Sequence, residues 1–387
     1  MTSGAAHRAT DVSKLIVFRA DASTRIGSGH IARCLTLAGS LREHGMRCAF
    51  VCRAGPGEPS TFIASRGFEV RTLETIPAAA RIEAVLTDSE QIADARQTIA
   101  AVESLDAEVS WGVVDHYGLG AAWEETVAAH TERVMVIDDL ANRRHACDLL
   151  LDQNYYAGEN RYEGLVPARC RLFLGPRHVL LRTEFAEAKA GMRRRDGTVK
   201  RILVAFGGSD ESGETIKTLH GLRALGLGGI AIDVVAGGSN PHRDALRALC
   251  ASIPGCVYHE QVDYMAKLIA DADLALGAGG AMTWERCALG VPALTVVTAP
   301  NQRQTTVDTA ALGAAIFLGE AQALDSDAIG AAVASCIADP ARNRAISERA
   351  FELVPAADGA AYMAHQMTSF GLAGAPLHNQ SHSAGHA

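Results

Sequence analysis

The 387-residue sequence is 48% hydrophobic and only 5% aromatic, with 37 glycines, a balance that suits α/β cores, and the length favours two domains. Its 36 Lys plus Arg against 44 Asp plus Glu give a net charge of −8, which excludes broad nucleic-acid binding through a basic surface. No apolar run approaches a membrane span, and the nine cysteines lack a Cys-x-x-Cys pair, so neither a disulfide framework nor a zinc knuckle is indicated.

Met1 to Ser13 are small and polar without an apolar signal core, and read as a disordered extension of a cytoplasmic protein. Leu15 to Phe18 then feed a glycine loop that ends in Gly27-Ser28-Gly29-His30, and Ile31, Leu35, Ala38 and Leu41 follow at helical spacing. The pattern is strand, glycine loop, helix, with His30 at the helix mouth. Gly27 and Gly29 let a ligand approach the backbone. The positive end of the helix favours a neutral imidazole able to accept a proton, and a bound anion would push the other way. A capping or packing histidine is the alternative at this point.

Cys48 to Cys52 form the second strand, with both cysteines packing in the core. Pro56-Gly57-Glu58-Pro59 turn into a short helix ending near Gly67, and Phe68 to Leu73 give a third strand. An Ala-rich stretch, 78–84, carries no motif, and Ile92, Ala95, Ile99 and Val102 mark a helix over 89–105. Three strands then end in polar residues: Trp111 to Val114 run into Asp115-His116-Tyr117-Gly118, Val134 to Ile137 into Asp138-Asp139, and Leu149 to Leu151 into Asp152-Gln153-Asn154-Tyr155. Each is explicable as a turn or cap. In succession they read as one wall of a ligand crevice at the carboxyl ends of parallel strands.

The charged stretch Phe185 to Lys200, with Arg193-Arg194-Arg195, reads as a linker whose arginines are solvated. A second βα series follows, with strands at 201–206, 230–235, 257–259, 274–276, 293–297 and 315–318, and helices at 326–338, 343–353 and 360–370. The expected division is an extension at 1–13, an N-terminal sugar-binding and catalytic domain at 14–188, a linker at 189–200, a nucleotide-binding domain at 201–355, a C-terminal helix at 356–370 and a disordered tail at 371–387. His378, His382 and His386 in that tail lack apolar periodicity and do not read as a metal site.

The other dense signal is Gly277-Ala278-Gly279-Gly280-Ala281 followed by Trp284-Glu285-Arg286. Glycines after a strand uncover backbone N–H groups that can seat a phosphate or pyrophosphate. Neither a Walker loop nor Gly-x-Gly-x-x-Gly is present, which disfavours a nicotinamide dehydrogenase. Glu285 lies one turn on, placed to accept hydrogen bonds from ribose hydroxyls. A first-turn glutamate favoured by the helix dipole is the alternative. Asn301-Gln302 either cap the next helix or reach a sugar or phosphate.

Taken in order, Arg19-Ala20-Asp21-Ala22-Ser23, Ile26 to His30, Arg33-Cys34-Leu35, Val114 to Tyr117, Ile137 to Asp139, Leu180 to Phe185, Gly207 to Asp210, Gly279-Gly280, Trp284 to Arg286 and Asn301-Gln302 resemble the UDP-sugar hydrolases of pseudaminic acid biosynthesis. Those enzymes cleave UDP-2,4-diacetamido-2,4,6-trideoxy-β-L-altropyranose on the route to flagellin or surface glycans. The resemblance implies an α/β glycosyltransferase-B-like fold of two doubly wound, Rossmann-like domains facing across a cleft, the nucleotide on the C-terminal domain. It implies His30 as general base, with Tyr117 as a second catalytic residue. Asp21, Gly27, Gly29, Arg33, Asp115, Asn154, Arg182, Gly279, Gly280, Ala281, Glu285, Asn301 and Gln302 would contact substrate. Asp115 and Tyr117 would orient sugar or water. No metal or cofactor is expected, and the partner is the small-molecule UDP-sugar, with no nucleic acid and no membrane. A glycosyltransferase passing a related sugar to an acceptor, or a non-catalytic nucleotide-sugar-binding protein, are the competing readings.

Overall fold

A computed structural model describes residues 14–22, 29–55, 59–74, 85–158, 161–192 and 194–370. The expectations for 1–13, Gly27, the Ala-rich stretch and the histidine-containing tail lie outside them. Strands β1 (Leu15–Ala20), β2 (Arg47–Arg53), β3 (Glu69–Leu73), β4 (Val109–Asp115), β5 (Arg133–Ile137), β6 (Leu149–Asp152) and β7 (Arg171–Leu174) form one sheet in the order β3-β2-β1-β4-β5-β6-β7. Strands β8 (Arg201–Ala205), β9 (Ala231–Ala236), β10 (Cys256–Glu260), β11 (Leu274–Ala278), β12 (Ala293–Val297) and β13 (Ile316–Glu320) form a second, ordered β10-β9-β8-β11-β12-β13. Every pairing is parallel. This is the α/β architecture the alternation of strand and helix patterns implies. The edge strand β7, four residues of which only Phe173 is buried, was not anticipated.

The helices are α1 (Gly29–Glu43), α2 (Ser60–Ser65), α3 (Asp88–Glu103), α4 (Ala121–Ala128), α5 (Thr183–Ala190), α6 (Glu214–Leu225), α7 (Arg243–Ala251), α8 (Met265–Asp271), α9 (Met282–Ala288), α10 (Arg303–Ala311), α11 (Ser326–Ala338), α12 (Pro340–Leu353) and α13 (Gly359–Thr368). Central strands are largely apolar because helices cover both faces. All six residues of β1 are buried, and Phe18 stacks on Phe50 of β2 at 4.9 Å. Cys48 and Cys52 join this core, as expected. So do Met363 and Met367, so that α13, at the far end of the chain, closes the first core against α1. None of the described helices is long and apolar enough to cross a membrane.

The stretch read as a solvated linker is built differently. Its first residues form α5, and Phe185 is fully buried in the second core together with Val179 and Leu181. Arg195 donates to the carbonyl oxygens of Ile269, Ala270, Ala272 and Leu289 at 2.7–3.2 Å. It therefore caps the C-terminal end of α8, where unpaired carbonyls attract a cation. Arg194 keeps to the expectation, its side chain 91% exposed.

In both sheets the strand order reverses direction once, between β1 and β4 and between β8 and β11. Ligands of open parallel sheets lie at such switch points, outside the carboxyl ends of the strands. The loops after β1, β4 and β11 carry the residues singled out in the sequence. In the second half, α6 and α11 pack so closely that a Cβ on Gly221 would lie 2.4 Å from the Ser326 carbonyl oxygen. Gly221→Ala should therefore lower stability by about 1–3 kcal/mol through overpacking, although alanine is the better helix former. Urea unfolding measures it, and an unchanged or raised midpoint would show that the helices part without cost.

Candidate active site

His30 is the second residue of α1 and is 5% exposed. Its Nδ1 lies 2.5 Å from Oδ1 of Asp115, the last residue of β4. Arg33, one turn further along α1, donates to both oxygens of the same carboxylate, from Nε and Nη2, each at 2.6 Å. The Arg33 Nη2 is also 3.1 Å from His30 Nδ1. A guanidinium only donates and Asp115 only accepts, so the Nδ1 proton belongs to the carboxylate bond. Nε2 is then the basic nitrogen, and it has no partner among the described residues. Burial alone would raise the Asp115 carboxyl, but the Arg33 charge outweighs it and holds the group well below the usual carboxylate range. Asp115 is thus turned onto His30 and Arg33 and away from a ligand. Arg33 is equally committed, its third contact being Asp139 Oδ2 at 3.3 Å.

Tyr117 packs edge-on against the His30 ring at 4.6 Å. Burial, and then the neighbouring Asp139, push its phenol upward, so the hydroxyl stays protonated. It makes a long 3.5 Å contact with Asp139 Oδ2 and accepts from Asn301 Nδ2 at 3.1 Å. Asn301 comes from the other half of the molecule, so this bond joins the two walls. Gly29 opens α1, and a Cβ there would meet nothing within 4 Å.

Asp21 belongs to a buried ionic network behind this group. Its carboxylate takes bonds from Arg19 at 2.6 and 2.9 Å and from the Arg53 amide at 2.7 Å, and lies 3.2 Å from His116 Nε2. Arg19 and Arg53 in turn grip Asp94 of α3, at 2.5–3.0 Å. Burial would raise Asp21, and Arg19 reverses this and lowers it. The sequence singled out Asp21 for a ligand, but here its oxygens are occupied by protein donors.

On the facing wall, Gly279 has no room for a side chain, since a Cβ would lie 2.1 Å from Thr306 Oγ1 of α10. Gln302 accepts from the Thr298 amide and hydroxyl at 3.0 and 3.1 Å, which fixes its carboxamide beside Gly280. Ala281 is exposed at the head of α9. The glycine loop after β8 differs: Asp210 accepts from the Glu214 and Thr215 amides at 2.9 and 3.0 Å, so its own carboxylate occupies the start of α6. Glu285 lies 3.8 Å from Arg182, which is itself held by Glu184 at 2.9 Å. Burial raises the Glu285 carboxyl and Arg182 opposes it.

Asn154 does not stand free in the crevice. Its Oδ1 accepts from Trp284 Nε1 of α9 at 2.8 Å. Nearby, Thr305 donates to the Tyr155 carbonyl and the Ala157 amide to Asp308, both at 3.0 Å. Sequence reasoning missed Trp284, Thr305 and Asp308, because bonds between halves 130 or more residues apart leave no local signal. Asp139, which the sequence placed at a polar strand end without assigning it a contact, has its Oδ1 buried with no partner among the described residues.

Asp152, at the end of β6, is occupied by Arg161 at 2.6 Å, Tyr162 at 3.0 Å and the Asn154 amide at 3.0 Å. Burial nevertheless pushes its carboxyl up to about 7. A group whose pKa is raised on folding contributes stability below its unfolded value and loses it as the pH climbs through the folded one. Stability from this residue should thus fall between pH 4 and 7, by up to about 1.4 kcal/mol per pH unit. Asp152→Asn should flatten that slope in urea titrations at successive pH values, and an unaltered slope would contradict the assignment.

No protein-family model matches the chain. It is 25% identical over 294 residues to the UDP-2,4-diacetamido-2,4,6-trideoxy-beta-L-altropyranose hydrolase of Campylobacter jejuni, covering 75% of this chain and 94% of that protein. It is 23% identical over 299 residues to an uncharacterized protein of Methanocaldococcus jannaschii, 73% of this chain. With the spore coat polysaccharide biosynthesis protein SpsG of Bacillus subtilis it shares 32% identity over 167 residues, 42% of this chain. The matches span only 56% and 48% of the length of these last two. Among solved structures, the calicheamicin glycosyltransferase CalG4 matches with a TM-score of 0.62 at 17% identity, covering 94% of this chain and 100% of that one. MurG of Acinetobacter baumannii matches at 0.61 and 12%, covering 92% and 99%. The chain therefore has the glycosyltransferase-B fold and is a relative of the altropyranose hydrolase.

Proposed function

We propose that the protein is an inverting hydrolase of a UDP-linked 2,4-diacetamido-2,4,6-trideoxy-β-L-altropyranose, releasing UDP and the free sugar as a step of pseudaminic acid formation. The observation that carries this reading is the buried His30–Asp115 pair beside the cleft. Asp115 accepts the Nδ1 proton and fixes the ring, leaving Nε2 as the base. The relative named as a hydrolase of this UDP-sugar, matched along most of its length, supports the substrate.

In the proposed step a water oxygen forms a bond to the anomeric carbon, on the face opposite the nucleotide. The bond from that carbon to the β-phosphate oxygen breaks and its electron pair leaves with UDP. The water proton passes to His30 Nε2 and the resulting imidazolium is stabilised by Asp115. Backbone amides of Gly280 and Ala281 would receive the diphosphate, that of Gly279 being bonded to the Val296 carbonyl oxygen at 3.0 Å. Glu285 would accept from the ribose, and Tyr117 with Asn301 would flank the sugar. No metal enters the scheme.

Incubation with the UDP-sugar, followed by NMR, should show UDP release with the α anomer formed first, unaffected by EDTA. His30→Ala should lower kcat by about 10²-fold or more, and Asp115→Asn by a similar factor, with thermal stability checked in parallel. No release, retained configuration, or release undiminished in His30→Ala would each overturn the mechanism. Release only when an acceptor alcohol is added would identify a transferase instead.

A further inference from the structure

Arg286 is unlike the other buried arginines of this molecule. It lies on α9, five residues after Ala281, and is 2% exposed. Arg19, Arg33, Arg53 and Arg143 are each paired with at least one carboxylate. Arg286 forms no ion pair among the described residues. Its Nη2 donates to the Ala278 carbonyl at 2.9 Å and to Thr283 Oγ1 at 3.1 Å, while Nε and Nη1 are buried with no partner. Its nearest acidic neighbour in sequence, Glu285, lies beside Arg182.

A buried cation without a counter-ion is costly, by several kcal/mol in real proteins. Burial pushes the guanidinium down only to about 10, so it remains charged at neutral pH. The chain has also made room for it, because a Cβ on Gly277 would lie 2.6 Å from Nη1 and 2.4 Å from the Ala205 carbonyl oxygen. The carbonyl it grips belongs to the last residue of β11, one peptide before Gly279 and Gly280. The charge therefore sits at the base of the loop that carries Gly279 and Gly280, in which the Gly279 amide is bonded to the Val296 carbonyl oxygen at 3.0 Å.

We propose that Arg286 is a positioning residue for a nucleoside diphosphate, which supplies the paired counter-charge that Arg286 lacks among the described residues. It holds the end of β11, and so the loop, in place, and it makes the potential above the loop favourable to the diphosphate without touching it. This rests on the nucleotide being seated at Gly280 and Ala281, as in the function proposed above. An uncharged nucleoside should gain nothing from Arg286, whereas a role confined to folding would affect nucleoside and nucleotide alike.

The test is calorimetric titration of the full chain with UDP and with uridine, using wild type, Arg286→Lys and Arg286→Met. In wild type UDP should bind more tightly than uridine. In Arg286→Met that advantage should shrink by about tenfold or more, as expected for losing a charge in a partly desolvated site, with uridine affinity preserved. Arg286→Lys should restore part of it. If Arg286→Met is folded and keeps the wild-type ratio, the inference is overturned while the nucleotide seat stands. If wild type shows no preference for UDP over uridine, the diphosphate seat itself fails. Should Arg286→Met not fold, Arg286→Lys decides through the same ratio: a reduced advantage supports the assignment and an unaltered one removes it.

Discussion

The carboxylate of Asp115 is the point on which the N-terminal wall depends. It closes β4 at the switch point of the first sheet and ties two residues of α1 to the strand beside it. Three charged or polar groups are thereby taken from water, at a desolvation cost that only good geometry offsets. Bidentate contact from Arg33 provides that geometry, and it also prevents Asp115 from being a ligand contact in its own right. The same arrangement fixes which nitrogen of His30 carries the proton. A helix mouth alone would leave the ring free to turn.

The polar groups behind the crevice follow the same logic. Arg19, Asp21, Arg53 and Asp94 satisfy one another, and Trp123 adds its Nε1 proton to Asp94 at 2.9 Å. Further along the wall, Asp138 accepts from Arg143 at 2.8 Å and from Tyr162 at 3.0 Å. Such networks stabilise one arrangement of loops at the carboxyl ends of the strands, since a half-satisfied network would be worse than an apolar one. Among the buried groups left without a partner among the described residues are Oδ1 of Asp139 and two nitrogens of Arg286.

Much of the fold was legible because parallel strands buried on both faces read as continuous apolar runs; twelve of the thirteen strands were located, although β3 and β10, interrupted by polar residues, carry no such run. β7 was missed; it is as short as β6 but, at the sheet edge, only partly buried. Of the site, His30, Tyr117, Gly279 and Glu285 could be located from their position after a strand. The partners of Asp21, Arg33 and Asn154 could not, because the sequence shows that a polar residue stands at a strand end but not whether its atoms are taken by another part of the chain. Arg195 illustrates the same limit, since a run of arginines gives no sign that one of them turns inward to carbonyls of α8.

The two walls are joined in a different way from how each is held internally. Beside the 3.8 Å ion pair of Arg182 with Glu285, the bonds between them include Trp284 to Asn154, Asn301 to Tyr117, Thr305 to Tyr155 and Ala157 to Asp308, single hydrogen bonds each worth about 0.5–1.5 kcal/mol net, or somewhat more where a carboxylate accepts. Their sum is small beside the ionic clusters of the N-terminal wall. The His30–Asp115 pair therefore keeps its geometry whether or not the halves touch, while the juxtaposition of Tyr117 with Asn301 depends on their approach. A ligand spanning both walls would contribute binding energy to that approach, and the base would already be oriented when it arrived. In this arrangement the charged part of the N-terminal wall is assembled within that wall, apart from the bonds that join it to the facing one.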